Sequence, residues 1–351
     1  MNEKPTFDGS CPLPLSDYES VLMAHGGGGT LMNQLLDRLI RPTLGDALLA
    51  GAHDSAVLDI EGTSVAFTTD GYTVDPLFFP GGDIGTLAVN GTVNDLLMAG
   101  AKPLYLSASF IVEEGLPIAT LQRATASLAK AAGAAGVHIA TGDTKVVDRG
   151  KADGIYITTA GIGLCDKEKP VHPSRIRPGD AILLSGDIGR HGIAIMATRE
   201  GLSFEHELQS DCAPLTEPVT ALMEADVDVH CMRDLTRGGL ASALVELARE
   251  SQTSFATDET AVPVHATVHA ACEMLGLDPI HVANEGRFIA FVPASTADRA
   301  LTALQSTAFG SDAAIIGAVE EGPGGRVTMR STIGVERIVE MMSGEQLPRI
   351  C

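Results

Sequence analysis

Cys351 closes the sequence "LPRIC", a nucleophilic thiol beside a carboxylate with no further chain to hold it in place. A frayed end is the ordinary explanation of such a residue. The alternative is a thiol that has to travel. Four carboxylates raise a matching question: Asp54 in "HDSAV", Asp70 at the end of the strand-like "VAFTTD", Asp95 in "NGTVNDLL" and Asp143 in "ATGDTK". Each stands among small residues at a strand end or near a helix, where carboxylates from separate elements can converge on one sheet edge. A cap or turn explains any one of them. Four together suit Mg2+, a hard cation that takes oxygen ligands and joins carboxylates to nucleotide phosphates. Lys145, two residues after Asp143, adds a donor for a phosphoryl group, against the plain reading of a solvated lysine.

Two further stretches offer anion sites. "AHGGGGT" places Gly26, Gly27, Gly28 and Gly29 before the helical-looking "LMNQLLDRLI", so backbone N–H groups and a helix start can face a phosphate. The stretch lacks the lysine and spacing of a Walker loop and follows no clear strand, and a flexible linker stands as an equal reading. "RDLTRGGLASALVELA" offers Asp234 or Thr236 as a cap, Arg237 at the opening turn and two glycines behind it. In "HVANEGRFIAF", Glu285 directly precedes an apolar strand. Partial desolvation there would raise its proton affinity towards that of a general base, and a solvated loop carboxylate is the plainer alternative.

The elements that must position these residues alternate along the chain. "SVAFTTD", "PLYLSASFIVE" and "GIYITTAGIGL" read as strands, and "GTLAVNGTVNDLLMAGA" and "PIATLQRATASLAKAAGAAG" as helices. This α/β alternation closes near Cys165. The charged, proline-bearing "DKEKPVHPSRIRPGD" marks a boundary. Beyond it "AILLSGDIG" restarts the pattern, with helices near 191–200, 215–226, 237–250 and 296–307 and strands at 286–293 and 313–319. The expected organisation is an arm and glycine-rich loop over 1–40, a first α/β domain over 41–165, a second α/β domain over 166–330 and a mobile tail over 331–351. Counted from Ser343, that tail spans about 30 Å if extended.

With 351 residues and 45% apolar content, the chain can fill two cores. Its net charge of −21 repels a phosphate backbone, so nucleic acid is excluded as a general partner. The first twenty residues do not read as a secretion signal, and no apolar run approaches the roughly 20 residues of a membrane helix, so a cytoplasmic protein is expected. Six cysteines without a C-x-x-C pair fit free thiols in a reducing compartment.

Taken together, "AHGGGGTLM", "TTDGYTVDPLFFPGGDIGTLAVNGTVNDL", "GDTKVV", "DLTRGGL", "ANEG" and the final "PRIC" resemble the HypE family of hydrogenase maturation factors, from about residue 22 to the last residue. That family sits in the aminoimidazole ribonucleotide synthetase superfamily. The resemblance implies a two-domain α/β (α+β) fold and a homodimer whose N-terminal sheets join in a barrel-like core, with ATP near the interface. It also implies a reaction. A carbamoyltransferase, HypF, loads a carbamoyl group on the terminal cysteine, ATP drives its dehydration to a thiocyanate, and the cyano group passes to iron on a HypC–HypD assembly during [NiFe]-hydrogenase construction.

The same resemblance assigns Asp54, Asp70, Asp95 and Asp143 to metal and nucleotide, and Asn94, Arg237 and the glycine run to nucleotide. It places Lys145 near the phosphates, makes Glu285 the base and Cys351 the carrier. Relatives commonly have another small residue at the second glycine of the run. The terminal carboxylate should raise the Cys351 pKa above its free value of about 8.5, Arg349 should offset this, and Pro348 favours an extended approach. Selenophosphate synthetase shares the superfamily, but its usual cysteine or selenocysteine and lysine are missing from residues 24–31. A nucleotide-regulated scaffold without catalysis is the reading from a different class.

Overall fold

The computed structural model describes residues 18–44, 53–202 and 208–343. Cys351, Cys11 and the stretch from Gly344 onward lie outside these residues. After the glycine run come α1 (Thr30–Leu35), a π-helical turn over Leu36–Ile40 and α2 (Arg41–Leu44). Next follow β1 (Ala56–Ile60), β2 (Thr63–Tyr72), the short hairpin β3 (Phe78–Phe79) and β4 (Gly82–Asp83), and α3 (Ile84–Met98). The first unit is completed by β5 (Ala101–Glu113), α4 (Ile118–Ala135), β6 (His138–Val147) and β7 (Ile155–Cys165).

Side-chain alternation builds its sheet. In β7, Ile155, Ile157 and Thr159 point inward while the residues between them face out. The strand order is β1-β2-β7-β5-β6, antiparallel except for the β5–β6 pair. Helices α3 and α4 cover one face. On the other, Phe67, Ile162 and Tyr105 lie side by side in register across β2, β7 and β5 and stay 44%, 40% and 47% exposed, an apolar row left open among the described residues.

Why α3 is so apolar follows from its place. Asp83 accepts hydrogen bonds from the amides of Gly85 (2.8 Å) and Thr86 (2.9 Å), and the Thr86 hydroxyl accepts from the Asp83 amide, a reciprocal cap that fixes the helix start. From there the helix runs between the two units, against β2, β5 and β7 on one side and α6 and β9 of the second unit on the other. Leu87, Val93 and Leu96 are fully buried. A helix apolar all round marks such an interior position.

The second unit comprises β8 (Asp180–Leu184), α5 (Arg190–Glu200), α6 (Thr216–Glu224), β9 (Cys231–Asp234), α7 (Gly239–Ser251), β10 (Ser254–Asp258), α8 (Ala266–Leu275), β11 (Phe288–Pro293), α9 (Ala297–Gln305), β12 (Ala314–Glu320), β13 (Arg326–Arg330) and β14 (Glu336–Ile338). Its sheet runs β14-β13-β10-β12-β8-β11-β9, with β10 and β13 the parallel neighbours. Strands β8 and β11 are buried on both faces, which suits their unbroken apolar runs. Phe255 and Phe291 meet at 5.1 Å between ring centroids, each buried ring contributing about 1.5–3 kcal/mol by area.

The expected α/β architecture is present, with one correction at the C-terminal side. Within residues 331–343, expected as part of a mobile tail, Glu336–Ile338 form β14 of the second sheet. β14 pairs with β13, the Val339 amide donates to the Val327 carbonyl, and Val339 and Met341 are buried. Cys165, Cys212, Cys231 and Cys272 are free thiols, as expected. Among the described residues no helix is long and apolar enough to cross a membrane.

Candidate functional site

Three carboxylates from three elements converge where the units meet. Asp54 just before β1, Asp95 on α3 and Asp234 at the end of β9 bring oxygens within 4.8 Å of one another. The sequence places them there by separate means. Thr68 on β2 has its hydroxyl 2.8 Å from Asp95 Oδ2 and 2.9 Å from the Asp54 carbonyl, and Ser55 donates to the Asp95 carbonyl at 2.8 Å. The Asp234 amide reaches Asp54 Oδ2 at 3.4 Å, and the Thr236 hydroxyl donates to Asp234 Oδ1 at 3.1 Å.

The charge balance of this cluster is poor. Arg233 Nε lies 2.9 Å from Asp54 Oδ1, and its Nη2 lies 2.9 Å from Glu246 on α7, so one guanidinium serves two carboxylates. Burial pushes the proton affinities of Asp54, Asp95 and Asp234 up. Mutual repulsion adds to this, and Arg233 opposes it at Asp54 and Asp234. Buried carboxylates held close against their own repulsion call for a compensating cation. Three oxygen donors with open coordination fit Mg2+ better than a soft metal.

Glu285 is 4% exposed, in the loop before β11. Burial first, then the charges of Asp234, Asp70 and Asp211, raise its pKa well above the ordinary glutamate value, while Arg237 opposes them. The carboxylate therefore shares a field with the cluster and is suited to accept a proton. Asp70 faces the same region, as its repulsion of Asp95, Asp234 and Glu285 shows, but lies outside the close trio.

The glycine run divides in two. Gly26 and Gly27 are exposed with open space around them. Gly28, at a φ of +77°, packs so tightly on Arg237 that an added Cβ would lie 2.5 Å from that residue's Cβ. Its carbonyl accepts from the Ser242 hydroxyl at 3.1 Å, and the Thr30 amide donates to the Met342 carbonyl at 2.8 Å. Gly29 is equally confined, with Met342 O 2.5 Å from the place of a Cβ. The run thus docks on the start of α7, beside the cluster.

Several expectations need correction. Asp143 is exposed on β6, joined to Lys145 at 2.6 Å, and belongs to no carboxylate cluster among the described residues. Strand order explains this: β6 stands three strands from β2, roughly 14 Å across the sheet at 4.8 Å per strand. Asn94 turns inward. Its amide donates to the carbonyls of Ala213 (3.1 Å) and Glu285 (3.2 Å) and its oxygen accepts from the Leu215 amide (2.8 Å), which makes it a bracket between α3 and the segments before α6 and β11. Asp234 does not cap α7, whose start is formed by Gly238 and Gly239 in left-handed conformations. It joins Asp54 and Asp95 in the carboxylate cluster, where Asp143 was expected. It ends the strand "CMRD", and that strand-end position was the available signal. Arg233 and Glu246 carried no signal of their own.

Two family models match the chain: AIR synthase related protein, N-terminal domain, over residues 52–165, and AIR synthase related protein, C-terminal domain, over residues 177–330. Carbamoyl dehydratase HypE of Azotobacter vinelandii is 49% identical over 332 residues, covering 95% of this chain and 97% of that protein. The chain belongs to the HypE family of carbamoyl dehydratases. A crystal structure of HypE in complex with ATP is 47% identical, with a TM-score of 0.80 over 93% of this chain and 98% of that one. A HypE–HypF complex gives 42% and 0.82 over 88% of this chain and 99% of that one. HypE membership sets aside the selenophosphate synthetase alternative. The carboxylate trio and Glu285 lie within the two matched domains, whereas Cys351 lies beyond them.

Proposed function

We propose that this chain uses ATP to dehydrate a carbamoyl group carried on the Cys351 thiol, leaving a thiocyanate that becomes a cyanide ligand of [NiFe]-hydrogenase iron. The observation that carries the reading is the buried, proton-hungry Glu285 beside the Asp54, Asp95 and Asp234 trio. Family membership supplies the reaction class.

The chemistry divides into two stages. The thiocarbamate oxygen attacks the γ-phosphorus and ADP leaves. As that oxygen gives up its double bond, one N–H proton is lost and an imidate phosphate remains. Glu285 then takes the second N–H proton, the C–O bond breaks, phosphate departs with the carbamoyl oxygen, and the carbon is left as a nitrile. One oxygen and two protons leave, so the balance is that of a lost water captured by ATP. Asp54, Asp95 and Asp234 would hold magnesium, whose charge, when bound, offsets that of the phosphates. Arg237, just before α7 and near Glu285, would meet a phosphate, and exposed Gly26 and Gly27 would fold over it.

Asp143 and Lys145 enter this reading through a second copy. The bare apolar row of Phe67, Ile162 and Tyr105 is a surface for homodimerisation, and exposed β6 would bring both side chains to the partner's nucleotide. The eight residues after Ser343 give Cys351 about 30 Å of reach if extended. HypF as carbamoyl donor, a HypC–HypD assembly as cyanide acceptor, a cytoplasmic setting, a division into domains near residue 165 and a tail from Gly344 complete the proposal.

The test is Glu285→Gln. Carbamoylation of Cys351 and ATP binding should persist while nitrile formation stops. A normal nitrile yield removes Glu285 from the mechanism, and ATP binding without turnover on the carbamoylated wild-type chain would favour the scaffold reading.

A further inference from the structure

The carboxylate of Glu285 is only as well placed as its backbone, and that backbone is held from several sides. Asn284 donates from its amide to the Leu235 carbonyl (3.0 Å) and accepts at Oδ1 from the Gly189 amide (2.7 Å). The Glu285 carbonyl accepts from Asn94, and the Gly286 carbonyl accepts from buried Arg287 at 2.8 Å. The two amides on either side of the Glu285 α-carbon share one acceptor: the N–H groups of Glu285 and Gly286 both point at Asp211 Oδ2, each at 3.3 Å. Gly286 is pressed against the same residue, since an added Cβ would stand 2.0 Å from the Asp211 carbonyl oxygen.

Asp211 meets this demand at a visible cost. It is 5% exposed, has no ion pair among the described residues, and its second oxygen, Oδ1, is buried without a hydrogen-bond partner. A buried polar atom left unpaired is uncommon and destabilising, and where it persists it marks a group retained for more than packing. The neighbouring residues hold it rigidly. The Ser210 amide donates to the Pro80 carbonyl (2.8 Å), the Ser210 hydroxyl lies 2.8 Å from His191 Nδ1 and the Cys212 amide donates to that hydroxyl (3.0 Å), so the segment before α6 is fixed against the β3–β4 hairpin and α5.

We infer that Asp211 is a positioning residue for dehydration, a two-pronged acceptor that fixes the main chain of Glu285 so that its carboxylate meets the carbamoyl N–H. This rests on the reading of Glu285 as the base. Small displacements of a proton acceptor lower the rate without changing how substrates bind, because the reacting atoms leave their narrow range of productive geometries.

The experiment measures single-turnover nitrile formation by the carbamoylated full-length chain, with ATP affinity and carbamoyl loading measured separately. Asp211→Ala removes the acceptor and should slow dehydration by about tenfold or more, with ATP affinity and loading changed less than about twofold. Asp211→Asn keeps one oxygen facing the two amides and should recover most of the loss. If Asp211→Ala no longer binds ATP, Asp211→Ser takes its place under the same criteria. Dehydration at the wild-type rate in the truncating variant, or an Asn variant as slow as that variant, overturns the inference. Glu285→Gln run in parallel separates the two claims. If it is inactive while the Asp211 variants are normal, only the role of Asp211 fails; if it is fully active, the base assignment fails first.

Discussion

Glu285 is an ordinary glutamate in an unusual setting, and its chemistry follows from that setting. Because burial and the charges of Asp234, Asp70 and Asp211 raise its pKa, a base at this position is protonated and idle in acid and becomes competent as pH rises through the raised value. The single-turnover dehydration rate should therefore climb with pH through a midpoint above 4.5, the usual glutamate value. A midpoint at or below that value would contradict the assignment. The same sign governs the trio. Folded-state pKa values above the unfolded ones contribute stability at low pH that is lost as pH rises through the raised values, unless a cation is bound. Asp95→Asn should thus raise the cation-free melting temperature at neutral pH by roughly 2 °C, with little change in acid, and weaken magnesium–nucleotide binding about tenfold or more. Unchanged affinity would remove Asp95 from the site. Asp54 and Asp95 were legible in the sequence as carboxylates among small residues. Asp234 was hidden because the same placement before a helix also describes a cap, and only the left-handed Gly238 and Gly239 show that the cap is not used.

Elements differ in how openly the sequence declares them. Helix α4 shows its amphipathic period, and β7 alternates cleanly. Both are readable because one face is buried and the other is not. Strand β6 has no such contrast, being exposed along nearly its whole length, and β14 is three residues long and defined by its pairing with β13. The glycine run was legible as a nucleotide loop but not as two halves, since docking of Gly28 on Arg237 is a tertiary fact. Its consequence is testable. Gly28→Ala combines a positive φ with a Cβ that has no room, so it should lift the loop from α7, cost roughly 1–3 kcal/mol of stability and lower ATP affinity. Gly26→Ala, with nothing within 4 Å of the new carbon, should do little to stability. Equal melting temperatures for the two variants, by calorimetry, would contradict the docked geometry.

At the scale of the whole molecule, a second copy would both cover the exposed face of the first sheet and supply Asp143 and Lys145 to the other site. If Lys145 acts across the dimer, Asp95→Asn and Lys145→Ala, assayed at a magnesium–nucleotide concentration too low for either variant to turn over alone, should complement when mixed. Half of randomly formed dimers hold one intact site of two, so about a quarter of wild-type activity returns. No activity above either parent would place Lys145 within its own chain. Periodicity along the chain does not show this arrangement, because it depends on strand order: Asp143 stands on the edge strand β6, three strands from β2. The central claim, that the Cys351 thiol carries the group this site dehydrates, is tested most directly by intact mass. The full-length chain is incubated with HypF and carbamoyl phosphate, then with ATP and magnesium. The account requires a gain of one carbamoyl group followed by loss of one water, both mapped to the peptide ending in Cys351. ATP consumption without water loss, or the same shifts on another cysteine, would contradict it.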